Sequence, residues 1–139
     1  MPIRPASAPD GPAISRLLAQ LGYPGTEHFV EIRLAGVLQN PSEVLLVWDG
    51  PPVKGFVSLH FIPMIGVGKD FAHISYFIVD ETARREGIGR LLEEEITRVA
   101  RERGCDRIVA HCHSRRTRAH AFYLRQGYVE SPKYLIKKL

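Results

Sequence analysis

At 139 residues, with 45% hydrophobic and 24% charged side chains, the chain has the make-up of one globular domain rather than a disordered or collagen-like polymer, and is long enough to bury about two-thirds of its unfolded surface. No apolar run approaches the roughly 18 residues of a membrane span, and Met1-Pro2-Ile3-Arg4-Pro5 lacks the apolar core of a signal peptide, so a cytoplasmic protein without a membrane partner is expected. A net charge of +4 suggests an anionic partner, while the only two cysteines, Cys105 and Cys112, fit neither a disulfide framework nor a paired zinc motif and read as buried thiols.

In chain order, Ser7 can cap a first helix that places Ile14, Leu17, Leu18 and Leu21 on one face and stops at Gly22. Thr26 can cap a second helix, with Val30, Leu34, Val37 and Leu38 at helical spacing, ending before Asn40-Pro41. Residues Glu43 to Trp48 and Val53 to Ile62 are rich in β-branched and aromatic side chains and flank Asp49-Gly50-Pro51-Pro52, which predicts an antiparallel hairpin. After the Gly66-Val67-Gly68-Lys69 connection, the nearly continuous apolar run Phe71 to Val79 predicts a strand buried on both faces. From Gly87 the period becomes helical, with Ile88, Leu91, Leu92, Ile96, Val99 and Ala100 inward, Glu93, Glu94 and Arg98 outward, and Gly104 as the stop. A strand over Arg107 to Cys112 follows, then a helix over Thr117 to Gln126 closed by Gly127, then one or two strands between Tyr128 and Leu139 with Pro132 at a bend. Strand, helix and strand over residues 71–112 suit a right-handed crossover between parallel strands. Without repeats, low-complexity segments or linkers, residues 1–139 are expected to form a single mixed α/β or α+β domain.

The chemistry concentrates between the third strand and its helix, at Asp80-Glu81-Thr82-Ala83-Arg84-Arg85-Glu86-Gly87-Ile88-Gly89-Arg90. Gly87 and Gly89 let the backbone approach a ligand, and the helix start adds unpaired N–H groups and a positive dipole end, which together bind anions. Arg84, Arg85 and Arg90 oppose that dipole by roughly 0.3–1 kcal/mol each unless an anion intervenes. A nucleoside-triphosphate loop would need Gly-Lys followed by Ser or Thr, and a dinucleotide fingerprint would need a third glycine where Leu92 stands. What remains is either a tight turn with solvated arginines or a diphosphate held by Arg84, Gly87 and Gly89. Arg115, Arg116 and Arg118 add a second basic turn. With so small an excess of charge and no aromatic platform, nucleic acid is not the expected partner.

This R-x-x-G-x-G turn, following Ile78-Val79-Asp80, resembles the central motif of the GNAT superfamily of N-acetyltransferases. Ala119-His120-Ala121-Phe122-Tyr123 followed by Gly127-Tyr128 resembles a second segment of that superfamily, with Tyr128 in place of its final Phe. The resemblance implies a GNAT-like domain: a twisted, mostly antiparallel sheet with a central splayed pair of parallel strands, flanked by helices. It implies acetyl-CoA as cosubstrate and direct transfer of an acetyl group to a primary amine of a small molecule or peptide. It further implies that backbone groups of Phe77, Ile78 and Val79 meet pantetheine, and that the amides of Arg85, Glu86, Gly87, Ile88, Gly89 and Arg90, with Arg84, meet pyrophosphate. His113, Arg116 and Phe122 are further candidate cofactor contacts, although the superfamily often has asparagine where His113 and Arg116 stand. A homodimer is compatible with the resemblance. A weaker similarity, carried by Ile3-Arg4-Pro5-Ala6 and Phe122 to Tyr128, is to aminoalkylphosphonate N-acetyltransferases, whose substrates are small anionic amines.

Acyl transfer needs a neutral amine, a stabilised oxyanion and a protonated leaving thiol. The Val79 N–H is the candidate oxyanion donor and Tyr123 the candidate general acid. Proton donation from an unperturbed tyrosine to a thiolate is uphill by roughly 2 kcal/mol, so tuning or a water must assist. Many relatives place a glutamate base on the central strand, where Ser75 and Tyr76 are read here, which leaves the base open among His60, His73, Asp80 and His111. His111 and His113 share a face at a spacing compatible with metal, but no third ligand is evident and no metal is expected. A non-catalytic acyl-CoA-binding or regulatory module is the competing reading.

Overall fold

In the computed structural model, residues 2–112, 116–131 and 135–139 are described; the expectations placed on His113, Arg115 and Pro132 lie outside them. The elements are β1 (Ile3–Pro5), α1 (Gly11–Leu21), α2 (Val30–Gln39), β2 (Glu43–Asp49), β3 (Val53–Ile62), β4 (Phe71–Val79), α3 (Ile88–Glu102), β5 (Arg107–Ala110) and α4 (Thr117–Arg125). Single 3-10 turns occupy Ala8–Asp10, Thr26–His28 and Glu81–Ala83. Packing divides the chain into Met1–Val109 and Ala110–Leu139.

In the first unit the strands lie in the order β1-β2-β3-β4-β5, and β1 through β4 pair antiparallel. The Asp106 amide donates to the Asp70 carbonyl at 2.8 Å, and the Arg107 guanidinium lies 4.2 Å over the Phe71 ring. The two neighbours β4 and β5 therefore begin side by side and run in the same direction, the parallel pair that the strand-helix-strand pattern predicts.

Helices cover both faces of the sheet. Ile14, Leu17 and Leu18 of α1 and Leu34 of α2 pack with Val47, Phe56 and Ile78 on one face. On the other, a Cβ at Gly55 would meet Leu92 and Ile88 of α3, and the ring of Phe61 receives the Arg103 guanidinium at 4.1 Å. Leu92 and Ile96 are fully buried there.

Several expectations are corrected. The three-residue β1 was not foreseen, because Ile3-Arg4-Pro5 is too short and proline-rich to show a period; Arg4 anchors it by bonding Asp10 and Asp49. Ser7 opens the 3-10 turn rather than the α-helix, its amide donating to the Asp10 carboxylate at 2.8 Å. Thr26 does not cap α2: its hydroxyl pairs with that of Ser15, and the helix starts at Val30. Glu93 faces inward, where it accepts a bond from Thr97 Oγ1 at 2.8 Å that makes its burial tolerable. β5 is shorter than expected, ending at Ala110. Both cysteines are free thiols and only partly buried.

β4 is not buried on both faces. Ser58 pairs with Tyr76 but Leu59 pairs with Ile74, so Ser75 is an extra, bulged residue. The bulge reverses the alternation: Ala72 and Ile74 face α3 with Leu59 and Phe61, whereas Tyr76 and Ile78 face α1 with Phe56 and Ser58. Ser75 and Tyr76 are consequently exposed despite the apolar run around them.

In the second unit, α4 ends as Gly127 takes a φ of 94°. Among the described residues beyond it there is no strand, where one or two were expected between Tyr128 and Leu139. Val129, Leu135, Ile136 and Leu139 are exposed.

Candidate active site

The turn from β4 to α3 is fixed by a polar network in the first unit. Asp80 ends β4 with its amide donating to the Lys54 carbonyl at 2.7 Å and its carbonyl accepting from Ala83 at 2.9 Å. Its Oδ1 accepts from the Thr82 amide at 3.0 Å and the Thr82 hydroxyl at 2.9 Å, while Oδ2 takes an ion pair from Arg16 of α1. Arg16 also donates to the Val53 carbonyl at 2.9 Å, and Gln20 accepts from the Glu81 amide at 3.0 Å. The Thr82 amide and then Arg16 hold the Asp80 carboxyl well below the usual carboxylate range. Asp80 is therefore an anchor in ionised form, which removes it from the candidates for a base working near neutral pH.

The network delivers the chain to Gly87, which precedes α3 at φ 77° with no side chain capping the helix. Only glycine adopts this left-handed conformation without penalty, and a Cβ there would meet nothing within 4 Å, so the requirement is one of backbone conformation. The Glu86 amide turns back to the Ala83 carbonyl at 3.2 Å, and the first intrahelical bond runs from Leu91 to the Gly87 carbonyl. The amides of Ile88, Gly89 and Arg90 thus form an uncapped helix start, with the positive dipole end exposed beside Arg84 and Arg85. Arg90 pairs with Glu94 one turn on, and Lys54 approaches Glu86 at 3.6 Å. No acidic residue stands in the first turn of α3. These residues fit a diphosphate: free-ended amide donors and a positive dipole end stand next in sequence to two exposed arginines, with no acidic residue in the first turn.

The ladder orients Val79. Because Asp80 and Lys54 form a hydrogen-bonded pair, Val79–Gly55 and Phe77–Val57 are the intervening non-hydrogen-bonded pairs. The backbone N–H and C=O of Phe77 and Val79 therefore point away from β3, and Ile78 points its groups toward it. β5 spans four residues from the level of Phe71 and stops short of Val79. A donor aimed past the end of a short neighbouring strand is well suited to an incoming carbonyl or amide.

Gly55 brings strand and helix together: a Cβ there would lie 3.1 Å from the Ile78 carbonyl oxygen and 3.3 Å from Leu92 Cδ1. Its place inside a β-branched run is the one sequence signal that marks close approach. Arg16, Gln20 and Lys54 left no such signal, being ordinary polar residues on a helix and a strand. Tyr23, just after α1, meets Tyr76 edge-on at 5.6 Å, and both are exposed.

Phe77 through Arg90 thus come together in the first unit, whereas Arg116, Phe122 and Tyr123 belong to the second and His113 is outside the described residues. In that unit Tyr123 is flanked by Phe122 at 5.4 Å and Tyr128 at 5.0 Å, both edge-on, and its carbonyl accepts from the Tyr128 amide at 3.0 Å. Among the described residues no three His, Cys, Asp or Glu side chains converge as a metal site, and no helix is long and apolar enough to cross a membrane.

The family model for the acetyltransferase (GNAT) family matches residues 13–128. Among solved structures, the chain is similar to a transcriptional regulator from Bacillus halodurans C-125, at 24% identity and a TM-score of 0.89, covering 99% of this chain and 98% of that one. It is also similar to glucosamine-6-phosphate N-acetyltransferase from Arabidopsis thaliana (19% identity, TM-score 0.84, 98% and 96% covered). Ribosomal-protein-alanine N-acetyltransferase from Brucella melitensis biovar Abortus 2308 is a third (19%, 0.79, 98% and 97%). No curated protein matches the sequence. At such identities these structures speak for the fold alone, but the family match spans most of the chain, both the turn around Gly87 and the segment through Tyr128. The chain belongs to the acetyltransferase (GNAT) family.

Proposed function

We propose that residues 1–139 act as one acetyl-CoA-dependent N-acetyltransferase domain that acetylates a primary amine of a small molecule or peptide. The observation that carries this reading is the uncapped start of α3 at Gly87, flanked by exposed Arg84 and Arg85, directly after a strand whose Val79 N–H is aimed away from its partner. In this reading the amides of Ile88, Gly89 and Arg90 with Arg84 and Arg85 hold the pyrophosphate, and backbone groups of Phe77 and Val79 align the pantetheine arm. Arg116, Phe122 and His113 contribute further contacts to coenzyme A.

The Val79 N–H then stabilises the oxyanion as the amine nitrogen bonds to the thioester carbon. A fixed backbone donor requires no reorganisation at that moment. When the C–S bond breaks, Tyr123 donates its proton to the departing sulfur and is reprotonated from water. The acceptor's own proton must go to a base.

Calorimetric titration with coenzyme A and acetyl-CoA, followed by thiol-release assays across a panel of primary amines, tests the reading. Binding of both cofactors and amine-dependent thiol release are expected, with kcat lowered about 100-fold by Tyr123→Phe at unchanged cofactor affinity. Cofactor binding with no amine-dependent release, and no effect of Tyr123→Phe, would favour a regulatory module, the role that the name of the Bacillus halodurans relative suggests for that protein. No binding at all would overturn the reading.

A further inference from the structure

The bulge at Ser75 and the turn after α1 bring two tyrosines to one spot. The extra residue turns Tyr76 out onto the α1 face, where it remains 37% exposed, backed by the buried ring of Phe56 at 6.5 Å. Tyr23 reaches the same spot from the end of α1. Its amide donates to the Leu18 carbonyl at 2.9 Å, and its neighbour Gly22 takes a φ of 107°, so the helix end fixes its backbone. The two rings meet edge-on, 5.6 Å apart and at 87°, with Tyr23 51% exposed. Perpendicular rings make a corner with one ring face to each wall, and an apolar corner left open to water marks a place for a partner.

Its position points to the partner. Tyr76 stands three residues before Val79, about 10 Å back along β4. The α3 face of β4 is closed, with Ala72 and Ile74 buried there along with Leu92 and Ile96. A molecule that brings its nitrogen to the Val79 N–H and extends back along the strand therefore meets the tyrosines rather than α3. A further ring packs at about 5 Å between centroids, which leaves about 5 Å, roughly two to four carbons, between that ring and the nitrogen. Arg16, the charged residue of α1, is already paired with Asp80, so the helix brings no spare charge to select a second ionic group on the acceptor.

We propose that Tyr23 and Tyr76 determine acceptor specificity by seating an aryl group, so that the acceptor is an arylalkylamine rather than a small anionic amine. This rests on the acetyltransfer reading and deepens it by naming the acceptor's second group. Contacts made so far from the reacting atoms are the same before and at the transition state, so they act on KM and leave kcat alone.

The test measures kcat and KM at saturating acetyl-CoA for phenethylamine, phenylbutylamine, butylamine, putrescine and aminoethylphosphonate. It compares wild type with Tyr23→Ala, Tyr76→Ala and Tyr76→Phe, each checked for folding by thermal melting. Wild type is expected to favour the better phenylalkylamine over butylamine at least about tenfold in kcat/KM. Each alanine variant should raise KM for that phenylalkylamine about tenfold, with kcat and the butylamine KM changing less than about threefold. Tyr76→Phe keeps the ring and should keep the preference. Butylamine, putrescine or aminoethylphosphonate matching the phenylalkylamines in wild type would overturn the assignment while leaving acetyl transfer standing. So would alanine variants that keep the preference, or that lower kcat alike on every acceptor. If Tyr76→Ala fails to fold, Tyr23→Ala, at an exposed helix end, decides by the same criteria. A wild type that acetylates no amine would overturn both.

Discussion

Replacing Asp80 with Asn isolates the electrostatic part of the turn that leads into α3. The amide oxygen of Asn can still accept from Thr82 N–H and Oγ1, at 3.0 and 2.9 Å in the native turn, but Arg16 then faces an uncharged group. Loss of a charge-assisted bond at a carboxylate that is only 10% exposed costs about 1.5–3 kcal/mol. The Arg16 side chain is 45% exposed and regains water, which places the expected cost near the lower end, about 1–2 kcal/mol. For a chain of this length that corresponds to a fall in Tm of about 3–7 °C. The pH dependence follows from the depressed native pKa of Asp80. Its stabilisation is complete above the unfolded value of about 3.9 and is lost as pH falls toward the lower native value. Urea unfolding at pH 7, 5 and 3 should therefore show a gap between wild type and Asp80→Asn that is constant from 7 to 5 and narrower at 3. Calorimetry should show weaker coenzyme A binding by Asp80→Asn, because the turn presenting the α3 amides loosens. An unchanged urea midpoint at pH 7, or a gap that widens in acid, would refute the reasoning.

Three further outcomes are expected. Gly55→Ala sets a Cβ 3.1 Å from the Ile78 carbonyl oxygen and against Leu92 and Ile88, a crowding cost of about 1–3 kcal/mol that exceeds the gain of about 0.4–1 from a stiffer unfolded chain, so urea unfolding should show net destabilisation. Gly87→Ala meets no neighbour but must hold φ at 77°, which costs about 1–2 kcal/mol; Gly87→Asn should restore part of the stability, since Asn tolerates this region, and both substitutions should weaken coenzyme A binding in calorimetry. Burial pushes both thiols, Cys105 and Cys112, above their ordinary values, so iodoacetamide should label the native protein more slowly than the urea-unfolded chain at pH 8, as read by mass spectrometry.

What the sequence determined by itself was local and periodic. Helical spacing gave α1 and α3, β-branched runs gave β2 and β3, and Gly22, Gly87, Gly104 and Gly127 stand at their junctions with positive φ, because such residues report their backbone state without reference to distant neighbours. The motif around Gly87 likewise pointed to an anion at a helix start before any packing was known, and through its resemblance to the family that the matched residues establish. Tertiary structure decided everything that depends on which strand lies beside which. Only the register exposes the bulge at Ser75 that turns Tyr76 outward and the pairing that aims Val79 away from β3. Inward-facing Glu93 and the Arg16–Asp80 anchor, which joins residues 64 positions apart, belong to the same class. A polar side chain's partner is set by the folded surface it meets, and a single sequence carries no period from which that surface can be read.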